Sequence, residues 1–539
     1  MWRLPSVLIV LIASTPLVHA QDDALQVGQN VVTKTRTPLR LDGQVVDDGS
    51  QFRVYTVKQV DGDSVWVVSG SVSGWLPADA VVPFDRAIDY FTRQIQADPN
   101  SALNYSTRGM IWAEKGELDK ALADDNEAIR LDPNSAFEFI NRALVWDSKT
   151  EYDKALLDYN EAIRLDPNYV AAFYNRGRLW IVKKEYDKAL VDFDEAIRLN
   201  PKFAYAFGSR GLVWYAKTEY DKALSDFDEA IRLNPKDASA FIIRGNVWSA
   251  KTEYDKALAD YNEAIRLDPN TAGAFYNRGR IWKAKAEYDK ALVDFDEAIR
   301  LDPNLAYAFG SRGLAWLAKT EYDKALADNN EAIRLDPKNA AAFIARGLVW
   351  SAKTEYDKAL ADYNEAIRLD PTSALAYTNR GIAWGNKKEH DKALADFNEA
   401  IRIDPWDATV FNNRGYVWYV RKEYVKALAD YNDAVHLDPK SADGFGGQAW
   451  IWATCSDETV RNGKKAVESA TRACELNEWK VADDLEILAA AYAEIGDFDK
   501  AVEWQQKAVT LYAENGESNG MERLELYKNK TPYREESKD

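Results

Sequence analysis

The chain has 539 residues, with 87 acidic and 69 basic side chains and a formal net charge of -18. This charge balance, without a long basic stripe, argues against a nucleic-acid-binding protein. The length exceeds what one compact core supports, whereas a stack of repeats has no such ceiling because each unit contacts only its neighbours.

The first twenty residues have the pattern of an export signal. The sequence MWR precedes an apolar run over residues 4–18, and the small-residue site VHA ends at residue 20. We predict a signal peptide at residues 1–20, cleaved before Gln21, and a periplasmic or secreted protein with no integral membrane segment after cleavage. The alternative is an uncleaved amphipathic anchor, because Pro5 and Pro16 interrupt a run that is short for a membrane span.

Residues 25–82 are predicted to form a small all-β domain. Short β-rich runs, VVTKT, FRVYTVKQV and SVWVVSG, are separated by the turn signals DGD and SG. The closing sequence GWLPADAV resembles the last strand and turn of an SH3-like barrel. The aromatic and acidic opening of peptide-binding SH3 domains is missing. We therefore expect a packing module, with Trp66 and Trp75 in its core or at its rim.

A half-repeat follows at residues 83–99. Ala87, Ile88 and Phe91 have the spacing of the second helix of the later repeats, with no first helix before them. We expect this helix to cap the stack.

Ten copies of one motif then stand in strict register. EYDKALADYNEAIRLDP occurs at residues 253–269, again at 355–371, and in eight close variants. The copies end at prolines that are 34 residues apart, a period typical of stacked repeats. These prolines are Pro133, Pro167, Pro201, Pro235, Pro269, Pro303, Pro337, Pro371, Pro405 and Pro439.

Each copy is predicted to be a helical hairpin. In residues 253–269 the apolar side chains are spaced three and four apart, as in an amphipathic helix. An upstream helix carries Phe241, Gly245 and Trp248, a short link joins the two helices, and Pro269 ends the pair.

We number the places of a repeat so that Pro269 is place 32 of the repeat at residues 238–271. The residues that recur then fall at places 4, 8, 11, 20, 24, 27 and 32: Phe241, Gly245, Trp248, Ala257, Tyr261, Ala264 and Pro269. This phase resembles the tetratricopeptide repeat. The resemblance covers residues 102–441 and implies an all-α solenoid, a right-handed superhelix of helical hairpins. Glycine at place 8 in nine repeats predicts close helix packing.

The pattern loosens after the tenth repeat. Residues 442–480 keep the phase only with about five residues inserted around 457–463, which indicates a degenerate repeat. Residues 481–515 form a final repeat, and residues 516–539 are a polar tail with a short helix possible at 521–527. Terminal repeats are commonly atypical because they face water.

The sequence shows no enzyme signature, and we predict no catalytic residue, cofactor or metal site. Phosphate-binding loops, HExxH, G-x-S-x-G and metal-spaced cysteines are all missing. Of the three histidines, His19 lies in the predicted signal, and His390 and His436 are isolated variants of repeat positions. Cys455 and Cys474 would form a strained disulfide within one repeat, so two buried free thiols are the alternative.

Arginine recurs at place 7 and aspartate at place 23 in all ten repeats. We interpret them as a structural ladder of ion pairs, between the two helices of a repeat or between neighbouring repeats, rather than as ligand-binding groups. Exposed pairs of this kind contribute only about 0 to 1 kcal/mol each.

The candidate binding residues come from the first helices, which vary at places 2, 5, 6, 9, 12 and 13. In the resembled family these places line the concave groove. FYNRGR occurs in both the third and the sixth repeat, which indicates a duplicated block of three repeats, so common ancestry alone could explain the identity. The candidates are Tyr174, Asn175, Arg178, Tyr276, Asn277, Arg280, Lys283, Asn379, Asn412 and Asn413.

Tyrosine, asparagine and arginine together favour an extended, acidic peptide. The family's clamp for a carboxyl-terminal carboxylate is incomplete here, because its lysine at place 5 is replaced. We therefore expect an exported, non-enzymatic scaffold that binds protein segments in its groove. The alternative is a structural protein of the cell envelope that self-associates through faces or ends of the solenoid.

Overall fold

The computed structural model describes residues 25–35, 37–41, 44–47, 53–69, 72–514 and 520–535. The signal peptide predicted at residues 1–20 lies outside them. The chain divides into two compact units, Met1–Pro269 and Asn270–Asp539, which are taken in turn below. Among the helices of the described residues, none combines the length and apolar character that a membrane span requires.

The first unit opens with an antiparallel sheet of seven strands in the order β3-β2-β6-β5-β4-β1-β7. A turn at residues 62–63 joins β4 to β5, and a 3-10 segment, Ala78–Ala80, lies between β6 and β7. The predicted all-β region is confirmed, while its likeness to an SH3-like barrel stays a prediction. The strands are β1 Asn30–Thr33, β2 Leu39–Leu41, β3 Gln44–Asp47, β4 Tyr55–Asp61, β5 Ser64–Ser69, β6 Val72–Pro77 and β7 Val81–Pro83.

Alternation along the strands decides which side chains form the core of the sheet. In β5, Val65 and Val67 are buried, whereas Trp66 between them faces the other way and is only half-buried. Trp66 lies opposite Trp75 of β6, with ring centroids 5.4 Å apart and an edge-to-face angle of 70°. The sequence placed these two tryptophans either in the core or at the rim of the domain. Both are half-buried, which agrees with the rim and not with the core.

Helix α1, Ala87–Ala97, joins the sheet to the first repeat. Its Ala87 and Phe91 pack with Val32 and Val82 of the sheet and with Ile111 of the next helix. This shared apolar cluster covers the first-repeat surface that would otherwise face water.

Five helical hairpins complete the first unit. Within the unit, each helix packs against its neighbours along the chain. They are α2 Ala102–Glu114, α3 Leu118–Leu131, α4 Ala136–Ser148, α5 Tyr152–Leu165, α6 Val170–Val182, α7 Tyr186–Leu199, α8 Ala204–Ala216, α9 Tyr220–Leu233, α10 Ala238–Ala250 and α11 Tyr254–Leu267.

The turn within a repeat is the same left-handed helix end each time. In the fifth repeat, Thr252 has a φ of 60°. Its N–H donates to the Ser249 carbonyl at 3.0 Å, and the Glu253 N–H donates to the Trp248 carbonyl at 2.9 Å. These two bonds satisfy carbonyls at the end of the first helix and reverse the chain.

Place 8 sets the distance between the two helices of a hairpin. A Cβ atom added to Gly245 would lie 2.7 Å from Cε1 of the Tyr261 ring. The predicted close contact at this place is present, and the ring of the second helix occupies the space that a side chain would need.

The second unit continues the pattern and confirms the predicted fold class, a solenoid of helical hairpins preceded by an all-β region. In repeat 11, the degenerate repeat at residues 442–480, the link between the two helices has eight residues, 455–462. The helices are α12 Ala272–Ala284, α13 Tyr288–Leu301, α14 Ala306–Ala318, α15 Tyr322–Leu335, α16 Ala340–Ala352, α17 Tyr356–Leu369, α18 Ala374–Asn386, α19 His390–Ile403, α20 Ala408–Val420, α21 Tyr424–Leu437, α22 Ala442–Thr454, α23 Gly463–Leu476, α24 Ala482–Glu494, α25 Phe498–Glu514 and α26 Met521–Lys528.

Candidate peptide-binding face

We call the surface formed by places 2, 5, 6, 9, 12 and 13 of the first helices the first-helix face. Its places differ in exposure. Most residues at places 5 and 6, such as Ile140 and Asn141, are buried between helices, whereas Tyr307 at place 2 and Tyr416 at place 9 are exposed. Ligands that approach this face would therefore meet places 2, 9, 12 and 13 first.

The candidate patch of the third repeat is mostly packed away. The Tyr174 side chain is only 7% exposed and its ring centroid lies 5.0 Å from that of Phe203. Asn175 is buried, and its Oδ1 makes no hydrogen bond within the described chain. Tyr174 and Asn175 therefore act mainly as packing residues between repeats.

Arg178 in the same patch has an acidic neighbour. Its guanidinium lies 5.9 Å from the Tyr174 ring centroid. Burial raises the pKa of the nearby Asp147 carboxyl, while the charge of Arg178 acts in the opposite direction. The positive charge at Arg178 is thus partly offset by Asp147 of the preceding repeat.

The second copy of the patch is open and positively charged. Arg280 is exposed and lies 5.8 Å from the centroid of the Tyr276 ring, which is itself 4.4 Å from the ring of Tyr307. Burial and the charge of Arg280 lower the pKa of Lys283. Asn277, in contrast, is buried with 9% of its surface exposed. The same FYNRGR sequence therefore has a different environment in each copy.

Two of the three remaining candidate asparagines form side-chain hydrogen bonds within the chain. Asn379 Nδ2 donates to the Leu375 carbonyl at 2.9 Å, one turn back in its own helix. Asn412 Nδ2 donates to Ser441 Oγ at 2.8 Å, and that hydroxyl caps the start of α22. Asn413 is half-buried. Ligand binding by these asparagines stays a prediction.

The recurrent arginines form the ladder that the sequence predicts. Arg244 Nε and Nη2 donate to Asp260 at 2.9 and 2.6 Å, and Nη1 donates to Asp228 of the preceding repeat at 2.6 Å. One arginine thus ties both helices of its repeat to the repeat before. The pairs within repeats are Arg108–Asp124, Arg142–Asp158, Arg176–Asp192, Arg210–Asp226, Arg244–Asp260, Arg278–Asp294, Arg312–Asp328, Arg346–Asp362, Arg380–Asp396 and Arg414–Asp430.

Other chemistry-bearing groups of the described residues form no reactive cluster. Within that part of the chain, no group of three or more His, Cys, Asp or Glu side chains could hold a metal ion. Cys455 and Cys474 are buried and not bonded to each other. Burial raises the pKa of both thiols, to about 12 for Cys474. A protonated thiol is a poor nucleophile.

Sequence reasoning missed one group of residues on this face, the segment that follows α26. Tyr533, Arg534 and Glu535 lie against the first helices of the last repeats, where Trp450 occupies place 9 of repeat 11 and Tyr419 occupies place 12 of repeat 10. The signal in the sequence was Tyr533, an aromatic residue in the polar stretch that follows residue 528.

Family models identify the repeats. A model described as TPR repeat matches residues 148–179, 245–285 and 352–387. Two models of the tetratricopeptide repeat match residues 170–203, 272–305 and 374–407, and residues 485–515. The resemblance seen in the sequence is thereby confirmed. A search of curated proteins gives no match.

Several solved structures are similar to the chain at low identity. The Cut9–Hcn1 hetero-tetramer of APC/C is 14% identical with a TM-score of 0.47, covering 82% of this chain and 93% of that one. Yeast Tom70 is 17% identical with a TM-score of 0.41, covering 79% and 96%. YrrB, described as a TPR protein with an unusual peptide-binding site, is 28% identical with a TM-score of 0.29, covering 36% and 97%.

Proposed function

We propose that this tetratricopeptide-repeat protein is a non-enzymatic scaffold that binds extended protein segments along its first-helix face. The fold is typical of scaffolds for protein–protein interaction. The observation that carries the proposal is the pair Arg280 and Lys283, two cations on one helix face. Within the described chain neither forms an ion pair, so an acidic side chain of a bound segment would supply the missing counter-charge.

The aromatic surroundings suit the same ligand. Tyr307 is 46% exposed beside Tyr276, whose ring lies near the Arg280 guanidinium, and the two rings offer a rigid apolar surface close to the charge. The chain as a whole carries a net charge of -18 and repels acidic ligands at long range. That repulsion is screened beyond about 8 Å at physiological salt, so the local cations decide binding.

The test compares short fluorescein-labelled peptides rich in Glu, rich in Lys or uncharged, by fluorescence anisotropy at low and moderate salt. We expect the Glu-rich peptide to bind best, and the double variant Arg280→Ala/Lys283→Ala to weaken it at least tenfold. Arg178→Ala should have a smaller effect because Asp147 offsets that charge. Arg300→Ala, an exposed arginine of a second helix, is the matched control. Equal affinity of the wild type and the double variant would contradict the proposal.

We further propose that the protein is exported, on the basis of the signal pattern at residues 1–20. Amino-terminal sequencing of the mature protein should then begin at Gln21. Crosslinking in the exported fraction, followed by mass spectrometry, would identify the bound segment.

Self-association is a second candidate function. A cavity of about 780 Å³ lies at the last repeat, where Trp479 stacks on Trp504 with ring centroids 5.0 Å apart. Its lining is mostly apolar, which suits contact with a second copy. Light scattering over a concentration range tests this candidate, because growth of oligomers without an added partner favours it, and loss of growth in Trp479→Ala would locate the contact.

A further inference from the structure

The residues after α25 form two parts, the helix α26 and a non-helical segment that follows it. In α26, Leu524 and Tyr527 are almost completely buried in or against the last repeat. Residues 532–535 that follow are each only half-buried and have no helical structure. The helix therefore belongs to the core of the last repeat, whereas the segment after it lies on the surface of that core, with only the Tyr533 ring packed against it.

Glu535 is held by three groups of the first-helix face. Its N–H donates to the Thr454 carbonyl at 2.9 Å. Its carboxylate accepts hydrogen bonds from Trp450 Nε1, at 2.9 Å, and from the Tyr419 hydroxyl. Burial and the bond to Glu535 raise the pKa of Tyr419, so the hydroxyl remains a donor at neutral pH.

Arg534 and Tyr533 add two further contacts. Arg534 pairs with the half-buried Glu494 carboxylate and donates to the Ala453 carbonyl at 3.2 Å. The Tyr533 ring lies 5.8 Å from the Trp450 ring and 4.7 Å from the Arg523 guanidinium. Three consecutive side chains, aromatic, basic and acidic, are thus each recognised by a matching group.

The long link of repeat 11 explains why acceptors are open here. In a regular repeat the carbonyl at place 12 is taken by the N–H of the turn, as the Ser249 carbonyl is by Thr252. In repeat 11 the link has eight residues, and the Ala453 and Thr454 carbonyls at places 12 and 13 accept bonds from residues 534 and 535 instead. The negative end of the helix dipole also favours the arginine at this position.

We infer that the first-helix face of repeats 10 to 12 is a second peptide-binding site, distinct from Arg280 and Lys283, and that the chain's own segment 533–535 occupies it. The partner it fits is an extended protein segment with aromatic, arginine and glutamate side chains in succession, which competes with the tail. The inference rests on the proposed binding of segments along this face, but it uses other residues.

The test uses the full chain and weakens the contacts of segment 533–535 by the double substitution Arg534→Ala/Glu535→Ala. We call this protein the tail variant. The probe is a fluorescein-labelled peptide with the sequence of residues 530–537. We expect it to bind the tail variant at least tenfold more tightly than the wild type, because the tethered competitor is weakened. Circular dichroism and thermal melting of each variant confirm an intact fold.

Matched controls locate the peptide. In the tail variant, Glu494→Gln and a peptide with arginine replaced by alanine should each reduce affinity at least tenfold. Glu475→Gln changes an exposed carboxylate and should leave affinity unchanged. Absence of binding, equal binding to the wild type and the tail variant, or insensitivity to Glu494→Gln would overturn the inference.

Sedimentation velocity tests the other occupant, the tail of a second copy. If the wild type forms a dimer that the tail variant does not form, the site serves exchange of tails between copies, and our assignment to a foreign partner is wrong. A wild type that stays monomeric over the same concentrations agrees with the assignment.

Discussion

Repeats 1 and 5 place different side chains at one buried position, place 24 of the second helix. In repeat 5 it is Tyr261, 1% exposed, whose hydroxyl donates to Asn246 Oδ1 at 2.8 Å. In repeat 1 it is Asp125, also 1% exposed, whose carboxylate oxygens have no hydrogen-bond partner within the described chain. A ring in one repeat is thus replaced by a carboxyl group in another.

A second substitution accompanies the first. Place 3 of the following repeat is Ala274 in repeat 6, but Glu138 in repeat 2, where Ser106 donates a hydrogen bond to its carboxylate. Two carboxyl side chains thus take the space of a ring and a methyl group. Burial raises the pKa of Asp125 well above its ordinary value and that of Glu138 to about 7. The comparison shows that the stack tolerates a changed filling while the backbone and the arginine ladder stay constant.

The largest expected effect comes from adding a side chain where the Tyr261 ring packs against the first helix. Gly245→Leu should lower the free energy of unfolding by roughly 4 kcal/mol, because the added side chain collides with the Tyr261 ring. It should also reduce cooperativity, because repeats couple only to their neighbours. Urea unfolding followed by circular dichroism measures both.

Gly208→Leu is the matched control for this change. A Cβ atom at Gly208 meets nothing within 4 Å, so the effect should be small. If Gly245→Leu unfolds at the same urea concentration and with the same slope as the wild type, the close helix contact does not carry stability.

The next largest effect is a loss of stability with rising pH, which we expect at repeats 1 and 2 and not at repeat 5. The folded chain binds the Glu138 proton more tightly than the unfolded chain, so this contribution is present below pH 4.5 and is lost as the pH rises to about 7. The loss is about 3 kcal/mol at the contact of repeats 1 and 2, from 1.36 kcal/mol for each pKa unit. The charge of Asp132 adds to the raised pKa of Glu138, and the charge of Glu138 adds to the raised pKa of Asp125.

Amide hydrogen exchange, corrected for its intrinsic pH dependence, measures the local stability of each region. Between pH 4.5 and 7.5, protection in residues 102–148 should fall more than protection in residues 238–267. Glu138→Gln should remove much of the fall. Equal changes in both regions would show that the carboxyl groups do not control the first contact.

A smaller effect tests what both regions share, the arginine ladder. Arg244→Ala should cost roughly 2 kcal/mol, because it leaves the buried Asp260 carboxylate without its partner. Arg232→Ala breaks an exposed pair with Glu229 and should leave stability almost unchanged. Thermal melting of the two variants compares them directly, and equal melting temperatures would exclude a role of the ladder in stability.

The smallest effect is a gain in stability. Asn329 in repeat 7 also occupies place 24, is fully buried, and has one amide oxygen without a partner within the described chain. Asn329→Tyr restores the ring that Tyr363 provides in the next repeat and should raise stability by about 1 kcal/mol. Ala327→Tyr, at an exposed position of the same helix, should have little effect. Calorimetry of both variants decides whether the missing ring costs stability.

The sequence by itself determined the repeat, the hairpins and the partners in the ladder. These features depend on groups within one period of 34 residues: the pair formed by Arg244 and Asp260 recurs in ten repeats, and the glycine of Gly245 recurs in nine. A pattern that repeats at fixed spacing records contacts that form locally.

Only the tertiary structure decided which of two identical FYNRGR stretches is open. Arg178 lies near Asp147, whereas Arg280 lies beside Lys283 and near Tyr276, whose ring contacts Tyr307, so neighbours outside the motif set the charge and exposure of each copy. It also decided that the tail covers the first-helix face, since Tyr419 and Glu535 are separated by 116 residues. Contacts over such a distance leave no period in the sequence, because they form once and depend on how the last repeats end.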